Sequence, residues 1–240
     1  MSEQTKEHNV LSPIRRWGSG IYSHFGFLIL MGMASVLSLV PALLLLYGFT
    51  NSGSLILLAA TILAAGLFGI VWAAVSRTAW DLQFGFPIYL FKTFVKYIKE
   101  NAKQGYVLGL IFSLFWALAL SPLLLAETAP DLLTTGSYAA SILLSAVLSV
   151  LTSYAFYQVG RWELTVGQIL KNSVLFLLSA PLRALLTAAL WLVLLAAALT
   201  VPVYVLPLSL FLGLPCILCV TTQSFYVPKI DELMAKAAEE

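Results

Sequence analysis

An all-α fold, a polytopic bundle of membrane-spanning helices, is predicted by three observations. Sixty per cent of the 240 residues are apolar and only 10% are charged, against about 25% charged in a soluble domain. The apolar residues fall in unbroken runs close to the length of about 20 residues that a helix needs to cross a bilayer. Lysine and arginine are confined to the segments between alternate runs. A water-soluble chain of this composition would expose apolar patches large enough to aggregate, so the surplus faces lipid. A secreted disulfide scaffold, a nucleic-acid-binding domain and a disordered chain are excluded. A β-barrel is disfavoured, because its strands alternate apolar and polar residues.

Taken in order, the runs predict six spans in a single integral membrane domain, residues 1–240. The first twenty residues are polar. The run that follows is too long for a signal-peptide core and lacks a small-residue cleavage site, so it reads as a retained helix over 25–49. The second span is placed at 55–76, the third at 105–126 and the fourth at 138–159. The apolar stretch 174–201 is interrupted by Pro181 and Arg183, which places the fifth span at 184–201. Whether 174–201 is one tilted helix or two stays open on this reading. The sixth span is placed at 203–225 and carries Pro207 and Pro215, with Pro202 in the turn before it. A proline inside a helix removes an N–H and kinks the chain. The freed carbonyls must face protein or a wet cavity. With Pro41 in the first span, these prolines are the best hint of an internal site, although packing kinks are their commoner use in membrane helices.

All 13 lysines and arginines lie in four places: the N-terminal segment, the connections after the second and fourth spans, and the C-terminal tail. The other three connections hold none. Cytoplasmic loops attract Lys and Arg, so both termini are expected on the cytoplasmic side of the membrane.

The connection after the second span is the most informative. From Pro87 it reads PIYLFKTFVKYIKENAKQ. Proline suits a first helical turn. Ile88, Phe91, Val95, Ile98 and Ala102 recur at helical spacing, and Lys92, Lys96, Lys99 and Lys103 form a second stripe beside them. This pattern predicts an amphipathic helix over 87–104, lying flat on the inner leaflet before turning up into the third span. Anionic head groups would favour each such lysine by about 1 kcal/mol. The connection after the fourth span has a similar form. Arg161 and Trp162 sit at its start, and Thr165, Val166, Ile169, Leu170 and Val174 suggest a short helix lying on or dipping into the membrane.

On these residues the chain resembles the YesL-like family of small bacterial integral membrane proteins, a family of unknown function. The resemblance is carried by Ser76-Arg77, by FKTFVKYIKENAKQG at 91–105, and by ILKNSVLFLLSAPLRALL at 169–186. The last of these holds the Lys171-Asn172 pair and the Pro181-Arg183 step. The resemblance extends over roughly residues 60–235. Members of that family are commonly encoded beside carbohydrate ABC importers and glycoside hydrolases. The resemblance therefore implies an accessory role in sugar uptake or its regulation.

Chemistry-bearing motifs are sparse. No ionisable side chain falls within the six spans, and Arg183 comes closest. It is expected to anchor at the inner interface; in a single tilted helix it would instead line a cavity at membrane depth. Arg77 and Asp81 are one helical turn apart and read as a boundary pair. Cys216 and Cys219 spell C-x-x-C, but zinc needs three or four ligands. The two histidines, His8 and His24, are near the N-terminus, so the cysteines read as packing and His24 as an interface residue. No metal, cofactor or catalytic residue is expected, and the chain is not expected to be an enzyme.

The expected function is that of an accessory membrane protein docking partners through its basic helix. Lys92, Lys96, Lys99, Lys103, Arg77, Arg161, Lys171, Asn172 and Arg183 are the candidate partner or lipid contacts. The expected partners are anionic head groups and subunits of an ABC importer, and not nucleic acid. The rival reading is a substrate-binding permease or the six-span substrate subunit of a small-molecule importer. Such a protein should gather polar groups at mid-depth, whereas spans three and five are almost purely aliphatic, with Trp116 and Trp191 their only large polar-edged groups.

Overall fold

The computed structural model describes Gly18, Tyr22 and residues 24–84, 90–124, 134–159, 161–200 and 214–239. Their main elements are seven α-helices: α1 (Phe25–Ser52), α2 (Leu55–Phe84), α3 (Leu90–Leu124), α4 (Thr135–Gln158), α5 (Val166–Ser179), α6 (Pro181–Thr200) and α7 (Leu214–Glu239). The all-helical expectation holds. Four of these helices, α1 to α4, are long and apolar enough to cross a membrane, or five spans result if the bent pair α5–α6 is one. Six spans are therefore not what the described residues contain. The shortfall is at the C-terminal end of the chain, because residues 201–213, half of the expected sixth span, lie outside the described residues.

Local chemistry explains the element boundaries. α1 ends on Gly53, whose φ of 67° is left-handed and whose amide closes onto the Phe49 carbonyl; a side chain would strain that turn. α4 opens with a capping box, in which Thr134 and Ser137 each satisfy the other's backbone amide. α5 opens the same way on Thr165 and Gln168. The break expected at Pro181 is present: Pro181 takes the first position of α6, and α5 and α6 meet at 105°. Residues 174–200 are thus shared between two helices. Pro215 falls in the first described turn of α7, where no intrahelical N–H is needed. Pro202 and Pro207 lie outside the described residues.

The boundary expected between a flat amphipathic helix and the third span is not found. Residues 85–89, with Pro87 and Ile88, lie outside the described residues, but from Leu90 onward the lysine stripe and the third span form one unbroken helix. There is no turn between Gln104 and Gly105. The physical reason is a partner that no local pattern reveals: α3 runs antiparallel against α2 along its whole first half. The two helices meet through glycines. A Cβ on Gly69 would overlap the Gly105 carbonyl oxygen and the Gly109 backbone, and one on Gly109 would come within 3.0 Å of the Gly66 carbonyl. Small residues let membrane helices approach this closely. Further along the same pair, Tyr97 on α3 hydrogen-bonds Asp81 on α2. The second helix likewise continues past the expected boundary at residue 76, to Phe84.

The packed core lies toward the end where α2 finishes and α3 begins. There Phe27 and Leu28 of α1, Trp72 to Leu82 of α2, Phe94 of α3, Leu148 to Val159 of α4 and Cys216 to Ile230 of α7 supply most of the buried side chains. At the other end, Leu43, Leu44, Tyr47, Leu55 and Ile56 are exposed, as a lipid-facing surface requires. Trp116 and Trp191 lean on the same turn of α4, donating to Thr152 Oγ1 at 3.4 Å and to Ser153 Oγ at 2.9 Å. Tyr226 of α7 donates to the Ser153 carbonyl at 3.3 Å.

Candidate functional site

The charged residues collect at the core-rich end of the bundle, in two adjoining sets. The first is a cluster of cations, carboxylates and rings. Arg77 lies on the last turns of α2, one turn before Asp81, with Nε 3.8 Å from the carboxylate. Asp81 in turn accepts a 2.7 Å hydrogen bond from the Tyr97 hydroxyl. Arg161 follows the end of α4 and reaches α7: Nη2 donates to Asp231 at 2.9 Å. The other Asp231 oxygen accepts from the Tyr157 hydroxyl, also at 2.9 Å. The two halves share one ring. The guanidinium carbons of Arg161 and Arg77 lie 4.1 Å and 4.9 Å from the centre of Trp80.

The electrostatics are balanced, with two guanidiniums facing two carboxylates. Arg77 Nε and Arg161 Nη1 are buried and reach no hydrogen-bond acceptor among the described residues. Their ring contacts stand in for one. Arg161 also lies 5.1 Å from the Trp162 ring and 5.4 Å from Tyr157, and Arg77 5.6 Å from Tyr97. Arginine suits this role better than lysine because its flat cation stacks on aromatic faces. Burial pushes the Asp231 carboxyl above its usual value, outweighing the opposing pull of Arg161 and the Tyr157 hydroxyl. What this cluster does is join α2, α3, α4 and α7.

The second set is the lysine face of α3. Lys92, Lys96, Lys99 and Lys103 are all exposed, while Phe94, Asn101, Gly105 and Leu108 on the same helix are buried. Phe94 packs edge-on against Phe27 of α1, centroids 6.2 Å apart. One carboxylate joins the stripe: Glu100 sits 3.7 Å from Lys96, both well exposed. At the tip of the helix Phe91 is 67% exposed.

The remaining predicted residues stand apart from these sets. Lys171 is exposed on α5, and Asn172 beside it is half-buried; among the described residues no hydrogen bond or ion pair ties either to the Arg77–Arg161 cluster. Arg183 bridges α6 to α7, donating to the Phe225 carbonyl at 3.0 Å, one turn before Pro228. The cysteines are free thiols buried in the core. Cys219 lies 3.7 Å from Gln223, whose amide also bonds the carbonyl and hydroxyl of Ser76 on α2. His24 precedes α1, and its carbonyl accepts from Phe27 and Leu28.

Several participants were not anticipated. The spacing Arg77-x-x-Trp80 places ring and cation on one helix face, and Gly105-x-x-x-Gly109 spells a helix-contact motif, so both were available locally. Asp231 carried no signal, being seventy residues from Arg161. No family model, no curated protein and no solved structure matches this chain.

Proposed function

We propose that this chain is an accessory integral membrane protein that holds a partner at the cytoplasmic face of a bacterial inner membrane through the lysine face of α3. One observation carries the reading. Four lysines of a single helix face are exposed together while the opposite face of that helix is buried. A face meant only for solvation would mix signs, whereas here, among the described residues, Glu100 is the one carboxylate that pairs with the stripe. The neutral Arg77–Arg161 cluster beside it is a brace: it ties the ends of four helices together and keeps the lysine-bearing helix in place.

Orientation and span count belong to the proposal. The distribution of all 13 positive charges supports both termini inside, and a sixth span would run through 203–225. Association with a carbohydrate ABC import system rests on the YesL-like resemblance of residues 60–235. The test is affinity purification in mild detergent from a bacterium that expresses the chain natively. An ABC ATPase or permease subunit should co-elute with the wild-type protein. Changing Lys92, Lys96, Lys99 and Lys103 to Gln should lower that recovery, more steeply as salt rises. The detergent melting temperature should barely move, since exposed charge changes cost within about 0.5 kcal/mol. Unchanged recovery with unchanged topology would end the docking reading.

A further inference from the structure

The bent pair α5–α6 can cross a membrane as one interrupted span, or α6 can cross alone and leave α5 at the surface. Three observations decide between them. The first is direction. The two helices meet at 105°, which is 15° past a right angle. A spanning helix tilts by about 20° on average, so α5 runs within about 35° of the membrane plane. α6 has 20 residues, about 30 Å at about 1.5 Å per residue, which matches the hydrocarbon thickness without help from α5. The second is level. The Gln104 side chain donates to the Leu164 carbonyl at 2.7 Å, just before α5 begins. Gln104 follows Lys103, the last charge before the apolar half of α3. Gln158, the last residue of α4, donates to the Ile169 carbonyl at 3.3 Å and to Ser173 Oγ at 3.0 Å. α5 is therefore held where α3 and α4 change from apolar to polar sequence.

The third is the way α5 divides its surface. At about 100° per residue, Ile169, Ser173 and Phe176 fall on one narrow stripe, and all three are buried. Phe176 meets Tyr154 of α4 edge-on, centroids 6.5 Å apart. Beside that stripe, over about 80–180° around the axis, lie Leu170, Leu177, Val174 and Leu178. The first two are half-buried and the last two exposed. Over about 200–300° lie Lys171, Gln168, Ser179 and Asn172, with Leu175 the one apolar side chain among them. Lys171 is the only charge on the helix. A helix crossing the bilayer has no use for the polar arc, and a helix standing in water none for the exposed apolar one. Protein on one side, an apolar arc on the second and a polar arc on the third mark a helix lying in an interface. The apolar arc also continues across the elbow: Leu178, Leu182, Leu185 and Val193 are 70%, 71%, 68% and 68% exposed. We infer that α5 lies as a surface helix in the leaflet at the charged end of the bundle, its apolar arc among acyl chains and Lys171 among lipid phosphates, while α6 alone crosses. Lipid is favoured over a protein occupant because the exposed row runs on into a face that a spanning α6 turns to lipid. Lys171 sits at the border of the two arcs, where its stem can lie along the acyl chains and its ammonium reach the head groups. The inference is independent of what the lysine face of α3 holds.

Depth measurements on the full chain in lipid nanodiscs test it. Gln168→Cys, Lys171→Cys, Leu178→Cys and Val193→Cys, all at exposed positions, are labelled separately with a fluorophore. The native thiols are buried and should stay unlabelled. The quenchers are phosphatidylcholines carrying a nitroxide near the head group or near the chain end, and iodide in the buffer. Position 178 should be quenched several-fold more by the shallow nitroxide than by the deep one, and position 193 in the reverse order. Position 171 should respond to both the shallow nitroxide and iodide, and position 168 mainly to iodide. Strongest quenching of position 178 by the deep nitroxide would make α5 part of a span and overturn the surface placement. Quenching of position 178 by iodide alone would put α5 in water and overturn it equally. For the occupant, Leu178→Cys is oxidised in native membranes. The protein should stay monomeric on a non-reducing gel, and a disulfide-linked dimer would give the face to a second copy and overturn the lipid assignment.

Discussion

Gly69 and Gly105 approach so closely that a methyl group on Gly69 would occupy the space of the Gly105 carbonyl oxygen, and one on Gly105 would come within 2.9 Å of the Gly69 carbonyl. The obstacles are backbone atoms, which cannot swing aside as a flexible side chain would. Gly69→Ala or Gly105→Ala should therefore force the α2–α3 hairpin apart and cost about 1–3 kcal/mol, the usual range for overpacking. Gly26→Ala, where a Cβ meets nothing within 4 Å, is the matched control and should be near neutral. Thermal unfolding in a fixed detergent reads the difference, and equal melting temperatures for the two sites would contradict the close crossing.

The Arg161–Asp231 pair should be worth more than an ordinary surface bridge. Its side chains are 18% and 31% exposed, and both partners carry further contacts to Tyr157 and Trp80. Asp231→Ala should cost about 1–3 kcal/mol, below the range for fully buried pairs because solvent screens part of it. Arg161→Lys keeps the charge but loses the flat stacking on Trp80, so it should not restore full stability. A double-mutant cycle through Asp231→Ala and Arg161→Ala should give a coupling energy clearly different from zero.

Acid should affect Asp231 in a defined direction. Burial raises its pKa in the folded protein above the usual 3.8, so the folded state takes up the proton before the unfolded chain does. The resulting stabilisation is fully present below the unfolded pKa and is lost as pH rises through the folded one. Relative to Asp231→Asn, the wild-type protein should gain stability as pH falls through that window. A difference that shrinks with acid would show that the ion pair outweighs burial.

Orientation can be read from intact cells. A cysteine at Ser52, exposed at the last turn of α1, should react with an impermeant thiol reagent from outside, and Lys236→Cys should not. The native thiols, Cys216 and Cys219, are buried and should give little background. Labelling at position 236 alone would invert the assignment.

What could be read from sequence depended on how local the cause was. The apolar runs marked four helices, because a span is defined by its own composition. The break at Pro181 was legible because proline acts within one turn, and the short helix from Thr165 because its apolar residues recur at helical spacing. The continuity of α3 was not legible. A lysine stripe beside an apolar stripe looks the same whether the helix stops there or runs on unbroken into the next apolar run, and the choice is made by α2, through Gly69 and Asp81. Arg77–Asp81 was visible as a pair one turn apart, whereas its extension to Trp80 and Arg161 needed α4 to be placed. Arg161–Asp231 joins residues with 69 others between them, beyond any pattern read along the chain.

The turn of α4 at Thr152 and Ser153 also imposes a timetable on synthesis. Trp116 is already made when Thr152 emerges, but Trp191 and Tyr226 follow Ser153 by 38 and 73 residues. At about 5–20 residues per second, the last of these arrives roughly 4–15 s later. The Ser153 hydroxyl waits for Trp191 and the carbonyl, longer, for Tyr226, while the α2–α3 hairpin can close as soon as Gly109 is in place. The N-terminal half can thus be assembled before α6 and α7 exist, and the bundle is finished by late helices that dock onto a prepared seam.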